Sequence, residues 1–155
     1  TSLNWSSCAV AREGQAWCWG RALFGGHGDG SSATNRALPT RVRQSGVIYA
    51  GLSNFGSTSE HVCARTAQGE AWCWGSGGSG QLGDGEVTNR DVPVAVRTTL
   101  RFAQLSAGDG HTCGTTPDGE VWCWGNGSNG RLGDGTGRSS RTPVRFAVSP
   151  PLPPP

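Results

Sequence analysis

The chain has 155 residues, with 13 basic residues, all of them arginine, against 11 acidic ones, for a net charge of +2. That balance is too small and too scattered for the basic footprint of a nucleic-acid binder, and no run is apolar enough for membrane insertion. The length allows one domain with a buried core, and the absence of methionine reads as a processed chain or a piece of a longer one.

Taken in order, Thr1 to Ser7 leads into a hairpin, and Asn4-Trp5-Ser6 is a glycosylation sequon that matters only in a glycosylating host. Cys8 and Cys18 then stand ten positions apart around Gly14, and the return reads Trp17-Cys18-Trp19-Gly20 before a Gly28-Asp29-Gly30 turn. The same text comes back as Cys63, Trp72-Cys73-Trp74-Gly75 and Leu82-Gly83-Asp84-Gly85. It returns again as Cys113, Trp122-Cys123-Trp124-Gly125 and Leu132-Gly133-Asp134-Gly135. Cys18 to Cys73 is 55 positions and Cys73 to Cys123 is 50. Periods of roughly 40 to 50 residues with short strands and Gly/Trp punctuation belong to β-propeller blades, whereas helical solenoids need apolar spacings of three and four.

The third copy shows the hairpin most clearly. Pro117-Asp118 suits the centre of a type I turn and Gly119 the left-handed position that completes a three-residue loop. This register sets Thr116 opposite Glu120, Thr115 opposite Val121 and Cys113 opposite Cys123. Counting outward from the turn, the cysteines fall on a non-hydrogen-bonded pair, the closer kind at roughly 4.5 Å between Cα atoms, within reach of a disulfide. Gly14 and Gly69 occupy the same turn position, so the chain is expected to form three local bridges: Cys8–Cys18, Cys63–Cys73 and Cys113–Cys123. Free core thiols or a metal site are the alternatives. The pairs favour an oxidising compartment: secreted, periplasmic or cell-surface.

The order Cys, Gly turn, Trp-Cys-Trp-Gly, Gly-x-Leu-Gly-Asp-Gly, Arg-x-x-Pro-Val resembles the regulator of chromosome condensation (RCC1) repeat. The match is fullest over His111 to Val144 and His61 to Val94; in the first copy Ser6 stands at the His position and His27 replaces the leucine. The resemblance implies an all-β chain of three propeller blades over 1–46, 47–98 and 99–148, in one domain spanning 1–148, with a proline-rich tail or linker at 149–155. Because propellers usually close with about four to eight blades, three imply a partial propeller, either a fragment of a longer one or one completed as a homo-oligomer. Structural roles follow for His61 and His111.

The returning strands are apolar at every position, so both of their faces are expected to be buried between stacked blades. Trp17 with Trp19, Trp72 with Trp74 and Trp122 with Trp124 each share a face and read as core. Gly77-Gly78-Ser79-Gly80 brings calcium-binding glycine repeats to mind, but Leu82 stands where an acid is needed. Asp29, Asp84 and Asp134 therefore read as turn residues bonding their own backbone, and no metal or other cofactor is expected. Arg36, Arg90 and Arg141 recur after each loop, either as a cationic rim for an acidic partner or as an ordinary solvated or salt-bridged surface. Pro39, Pro93 and Pro143 are expected to open short strands such as Val94-Ala95-Val96. Before His61 the chain carries an insertion, Leu52 to Glu60, whose Asn54, Phe55 and Glu60 form the most specific candidate for a contact surface.

Ser, His and Asp are all present, but there is no nucleophile elbow. The chain thus reads as no enzyme but as a propeller scaffold for a protein partner or self-association. Two other readings stay open: a GTPase-regulating exchange module, as the resemblance implies, and an extracellular enzyme inhibitor or carbohydrate binder.

Overall fold

The computed structural model describes residues 5–55 and 60–148; the Pro-rich tail, Asn4 of the sequon and residues 56–59 of the insertion lie outside the described residues. The described chain is β throughout except for one 3-10 turn at Ser128–Gly130. Blade 1 is a three-stranded sheet of β1 (Trp5–Val10), β2 (Ala16–Arg21) and β3 (Asn35–Arg41). After β4 (Tyr49–Leu52) comes β5 (Asn54–Phe55); β4 joins β6 (His61–Thr66), β7 (Ala71–Gly75) and β8 (Arg90–Ala95) in blade 2. Blade 3 is β9 (Gln104–Ala107), β10 (His111–Thr115), β11 (Val121–Gly125) and β12 (Ser140–Arg145), with β5 added to its β9 edge.

The turn chemistry sets the register. In blade 3 the Thr116 amide donates to Glu120 O (2.9 Å), the Gly119 amide donates to Thr116 O (3.0 Å), and Gly119 holds φ +89°. A residue with a Cβ resists that backbone, which is why glycine closes the loop. Thr115 then faces Val121, and Cys113 faces Cys123; the other two hairpins set Cys8 against Cys18 and Cys63 against Cys73.

Proline behaves differently from the sequence expectation. β8 begins at Arg90, so Pro93 lies inside the strand instead of opening it. Cys73 pairs with Val94 and Gly75 with Arg90, so three residues of β8 oppose the single Trp74 at a bulge. Proline is tolerated there because the strand is an edge and the ladder is already interrupted. Blades 1 and 3 repeat the shift at Cys18/Gly20 and Cys123/Gly125.

The core is divided between the blade junctions. Trp74 and Trp72 turn toward blade 1 and pack with Cys18, Val42, Tyr49 and Val62, while Cys73 and Ala71, on the opposite face of the same strand, pack with Phe102, Leu105 and Trp124 of blade 3. Trp74 and Trp124 are fully buried. Each indole removes roughly 200 Å² from water, which at about 25 cal/mol per Å² stabilises the junction by on the order of 5 kcal/mol before entropy is counted. Each lies against a glycine of the blade before it. A Cβ on Gly83 would sit 2.7 Å from Trp124 Nε1 and 2.9 Å from Val96 Cγ1, and Gly28 meets Trp74 and Val42 the same way.

Gly83→Ala is expected to destabilise the protein by roughly 2 to 4 kcal/mol in urea unfolding. Gly135→Ala, at a similar positive φ but with nothing within 4 Å of its Cβ position, is expected to cost only about 1 kcal/mol. Equal losses would mean that the backbone angle, and not the indole contact, selects glycine.

Candidate functional site

Three kinds of feature carry the candidate site: the cysteine pairs, the loops at one edge of the blades, and the polar contacts that cross between blades. All six cysteines stand in bridging pairs, with Cα–Cα separations of 4.2, 4.1 and 4.1 Å, matching the close, non-hydrogen-bonded register. Cys18, Cys63, Cys73 and Cys123 are buried, whereas Cys8 and Cys113 are half-buried. Among the described residues no group of three or more His, Cys, Asp or Glu is placed to hold a metal.

In the glycine loops, Asp29, Asp84 and Asp134 each accept a hydrogen bond at Oδ1 from the amide two residues on, from Ser31, Glu86 and Thr136, at 3.0 Å in all three. The carboxylates also capture the arginines: Arg36 pairs with Asp29 at 2.5 Å and Arg90 with Asp84 at 2.7 Å. Partial burial pushes the Asp29 carboxyl up, but bonds from Arg36 and Ser31 outweigh it and hold the group below the usual carboxylate range. Asp134 is held low by the Thr136 amide and hydroxyl. Arg141 is exposed and makes no ion pair among the described residues. The three recurring arginines are therefore not equivalent: among the described residues Arg36 and Arg90 are ion-paired and Arg141 is not. Leu82 and Leu132 are buried, Leu82 in the cluster that holds Val96 and Trp124. His27 takes their place in blade 1, with Nδ1 3.1 Å from Ala33 O and Nε2 3.1 Å from Gly20 O.

His61 and His111 occupy the same register position yet differ. His61 is buried at the junction of blades 2 and 3, and its Nε2 lies 2.7 Å from Thr112 Oγ1. Thr112 donates its own proton to Gln81 O at 2.8 Å, so His61 must be the donor to Thr112. Burial, with His111 nearby, lowers the His61 pKa from 6.5 to about 3, keeping the ring neutral. His111 is half-buried and has only a 3.4 Å contact to Asp109 O. At the first junction Val62 replaces Thr112, and Trp74 Nε1 donates to Gly26 O at 3.1 Å. At the second, Thr112 occupies the corresponding carbonyl, and Trp124 Nε1 is buried without a partner among the described residues. Trp17, Trp19, Trp72 and Trp122 are half-buried.

The start of the insertion is a strand: Asn54 and Phe55 pair in parallel with Ser106 and Ala107, so the chain leaves blade 2 after β4 and adds a strand to the β9 edge of blade 3. Glu60 is half-buried, and its carbonyl accepts the Ser76 amide at 2.9 Å. Sequence reasoning passed over Thr112, Gln81 and the glycines under the indoles. The signal for the glycines was present in the repeated Gly-Asp-Gly text, which was read as turn chemistry alone, whereas Thr112 and Gln81 carried none.

Two family models described as "Regulator of chromosome condensation (RCC1) repeat" match the chain, one over residues 68–114 and 118–151, the other over 54–81 and 102–131. Among curated proteins, the human probable E3 ubiquitin-protein ligase HERC3 is 32% identical over 109 residues, covering 68% of this chain and 10% of the ligase. Human HERC2 is 35% identical over 86 residues, 51% of this chain and 2% of the relative. The Arabidopsis thaliana ultraviolet-B receptor UVR8 is 33% identical over 91 residues, 59% of this chain and 20% of the receptor. The chain thus spans a fifth or less of each of these relatives. Solved structures share the fold: human WBSCR16 superposes with a TM-score of 0.78 at 22% identity over 92% of this chain and 37% of its own. Prp20p from Saccharomyces cerevisiae does so at 0.76 and 18% identity over 96% of this chain and 37% of its own.

A native, unreduced sample is expected to yield no free thiol on unfolding, and replacing Cys8 and Cys18 together by serine to cost about 2 to 3 kcal/mol, the closure entropy of a loop this short. The His61 pKa gives a separate expectation. A folded pKa of about 3 against 6.5 unfolded means that the stabilisation is complete above pH 6.5 and is lost as pH falls toward 3. Unfolding free energy at pH 4.5 should therefore be on the order of 2 to 3 kcal/mol below that at pH 7. His61→Gln should remove most of that difference.

Proposed function

Because the chain belongs to the regulator of chromosome condensation (RCC1) repeat family, we propose that it is a non-enzymatic propeller scaffold that binds a protein partner and works in an oxidising compartment. The observation that carries this reading is the division of labour in the blades. Bridged hairpins and interlocked indoles form a rigid frame, while the added strand β5 and the exposed Arg141 vary from blade to blade. Binding surfaces are built by varying loops on such frames. A shared fold agrees with this: one solved neighbour is yeast RCC1 (Prp20) bound to Kap60, and another is described with its binding to Gsp1p and histones. The three cysteine pairs support the oxidising compartment, since such bridges persist outside the reducing cytosol. Ligase activity belongs to the HERC3 and HERC2 relatives, of which this chain is a tenth or less.

GTPase regulation is the second reading, favoured by the likeness to yeast RCC1.

The immobilised chain is expected to retain a protein from the extracellular fraction of its own source. A variant whose insertion is cut to the short connection found before His111 should lose that protein. Undiminished binding by the shortened variant would remove the insertion from the surface. Retention of glycans with no protein would replace the reading by carbohydrate binding, and acceleration of nucleotide release from a small GTPase would replace it by exchange activity.

A further inference from the structure

The glycine loops of the three blades align residue by residue, since the amides of Gly28, Gly83 and Gly133 donate to Gly25 O, Gly80 O and Gly130 O. Phe24 therefore stands where the other blades have Ser79 and Asn129. Its backbone holds φ +54°, and that of Asn129 holds φ +59°. Asparagine tolerates this left-handed conformation because its short polar side chain bonds locally, whereas a bulky side chain such as phenylalanine is strained there. Burial does not offset the strain, because Phe24 is 46% exposed. A strained aromatic residue with its ring in water is the kind of outlier found where a protein binds something.

The loop that carries Phe24 packs onto blade 2, so its surroundings lie within a junction that the chain itself completes. Trp74 Nε1 donates to Gly26 O, the Gly30 amide donates to Asp91 O at 2.9 Å, and a Cβ on Gly25 would sit 2.6 Å from Asp91 Cα. At the second junction a Cβ on Gly80 would sit 3.0 Å from Arg141 Cα, and the Gly85 amide donates to Arg141 O. Asp91 and Arg141 are therefore equivalent, and the two junction rims differ. The first carries an aromatic ring and a carboxylate, the second a serine and a guanidinium. Asp91 is exposed and, unlike Asp29 and Asp84, has no ion pair among the described residues. A second carboxylate belongs to the same rim. Glu60 O accepts the Ser76 amide as Gly110 O accepts that of Asn126, and the Cβ position of Gly110 lies 3.7 Å from Ser79 Oγ. Glu60 thus takes the place of Gly110 beside Phe24, which takes the place of Ser79.

We propose that this rim binds an arginine side chain of a basic protein segment, the guanidinium lying on the Phe24 ring and pairing with the Asp91 carboxylate. An aromatic face attracts a cation, and the planar guanidinium is the cation that stacks on a ring while offering a fork of donors to a carboxylate. The two acidic groups beside the ring repel an acidic partner and favour a basic one. The proposal rests on reading the chain as a scaffold for a protein partner and supplies the chemistry of that partner.

The test titrates a blocked Gly-Arg-Gly-Arg-Gly peptide, and the same peptide with citrulline for arginine, into the chain by calorimetry. The wild type should bind the arginine peptide at least about tenfold more tightly than the citrulline one, which keeps the shape and loses the charge. Phe24→Asn and Asp91→Asn should each weaken the arginine peptide at least about fivefold. Phe24→Asn should also raise the thermal midpoint by about 2 to 4 °C, because it installs the residue that blade 3 already has in this conformation. Asp91 is exposed and its replacement isosteric, so that variant keeps its fold and its binding is read directly. No binding by the wild type, equal binding of the citrulline peptide, or undiminished binding in one of the two variants overturns the proposal. A midpoint that does not rise in Phe24→Asn overturns it as well, since the ring then serves the fold. Retention of an extracellular protein is measured separately, so the scaffold reading can survive the failure of this one.

Discussion

A tryptophan lying on the glycine of the preceding blade is the contact on which this structure depends. Each blade is a small sheet with little to bury within itself, and the apolar residues collect instead at the two junctions, around Trp74 and Trp124. An indole reaches that depth only where the opposing backbone has no side chain, which is why the Gly-Asp-Gly turn recurs opposite it. Burial of each indole, on the order of 5 kcal/mol, exceeds the about 2 to 3 kcal/mol from closing a hairpin with a disulfide. The bridges therefore hold the individual blades in register, and the indoles hold the blades to one another.

The polar contacts refine this arrangement without driving it. The hydroxyl of Thr112 joins an imidazole and a carbonyl contributed by blade 2, and this chain of donors leaves no choice of tautomer for His61. A buried neutral histidine makes the second junction sensitive to acid, while at the first Ser6 stands in the place of His61 and Val62 in the place of Thr112. Two junctions with one backbone plan thus differ in chemistry. Asp29 and Asp84 act in the same supporting way, bonding the turn and holding an arginine at the blade edge.

Because the blades repeat, differences among them point to function more than similarities do. Among the described residues the parallel strand β5 occurs once, on the β9 edge, and pairs backbone groups at that edge of the sheet. Arg141 has no acidic partner among the described residues, whereas Arg36 and Arg90 do. Phe146 stands where the first and second blades have a buried valine, and it is exposed. These departures lie on a hairpin plan that is otherwise common to the three blades.

The sequence by itself determined the blade. The ten-residue cysteine spacing around a glycine turn dictated the hairpin register, and the Trp-Cys-Trp alternation dictated which side chains share a face, because both follow from local turn geometry and the two-residue period of a strand. Asp29, Asp84 and Asp134 were legible as turn residues for the same reason, their partners lying two positions away. What only the tertiary structure decided is everything that crosses between blades. Thr112 and Gln81 are 31 positions apart, and nothing in the local pattern distinguishes a threonine that bridges two blades from one that faces water. Pro93 was read as a strand opening because the bulge that accommodates it depends on the neighbouring strand. The fate of the insertion at Asn54 and Phe55 was likewise settled by an open edge in another blade, since a two-residue strand has no periodicity of its own to announce it.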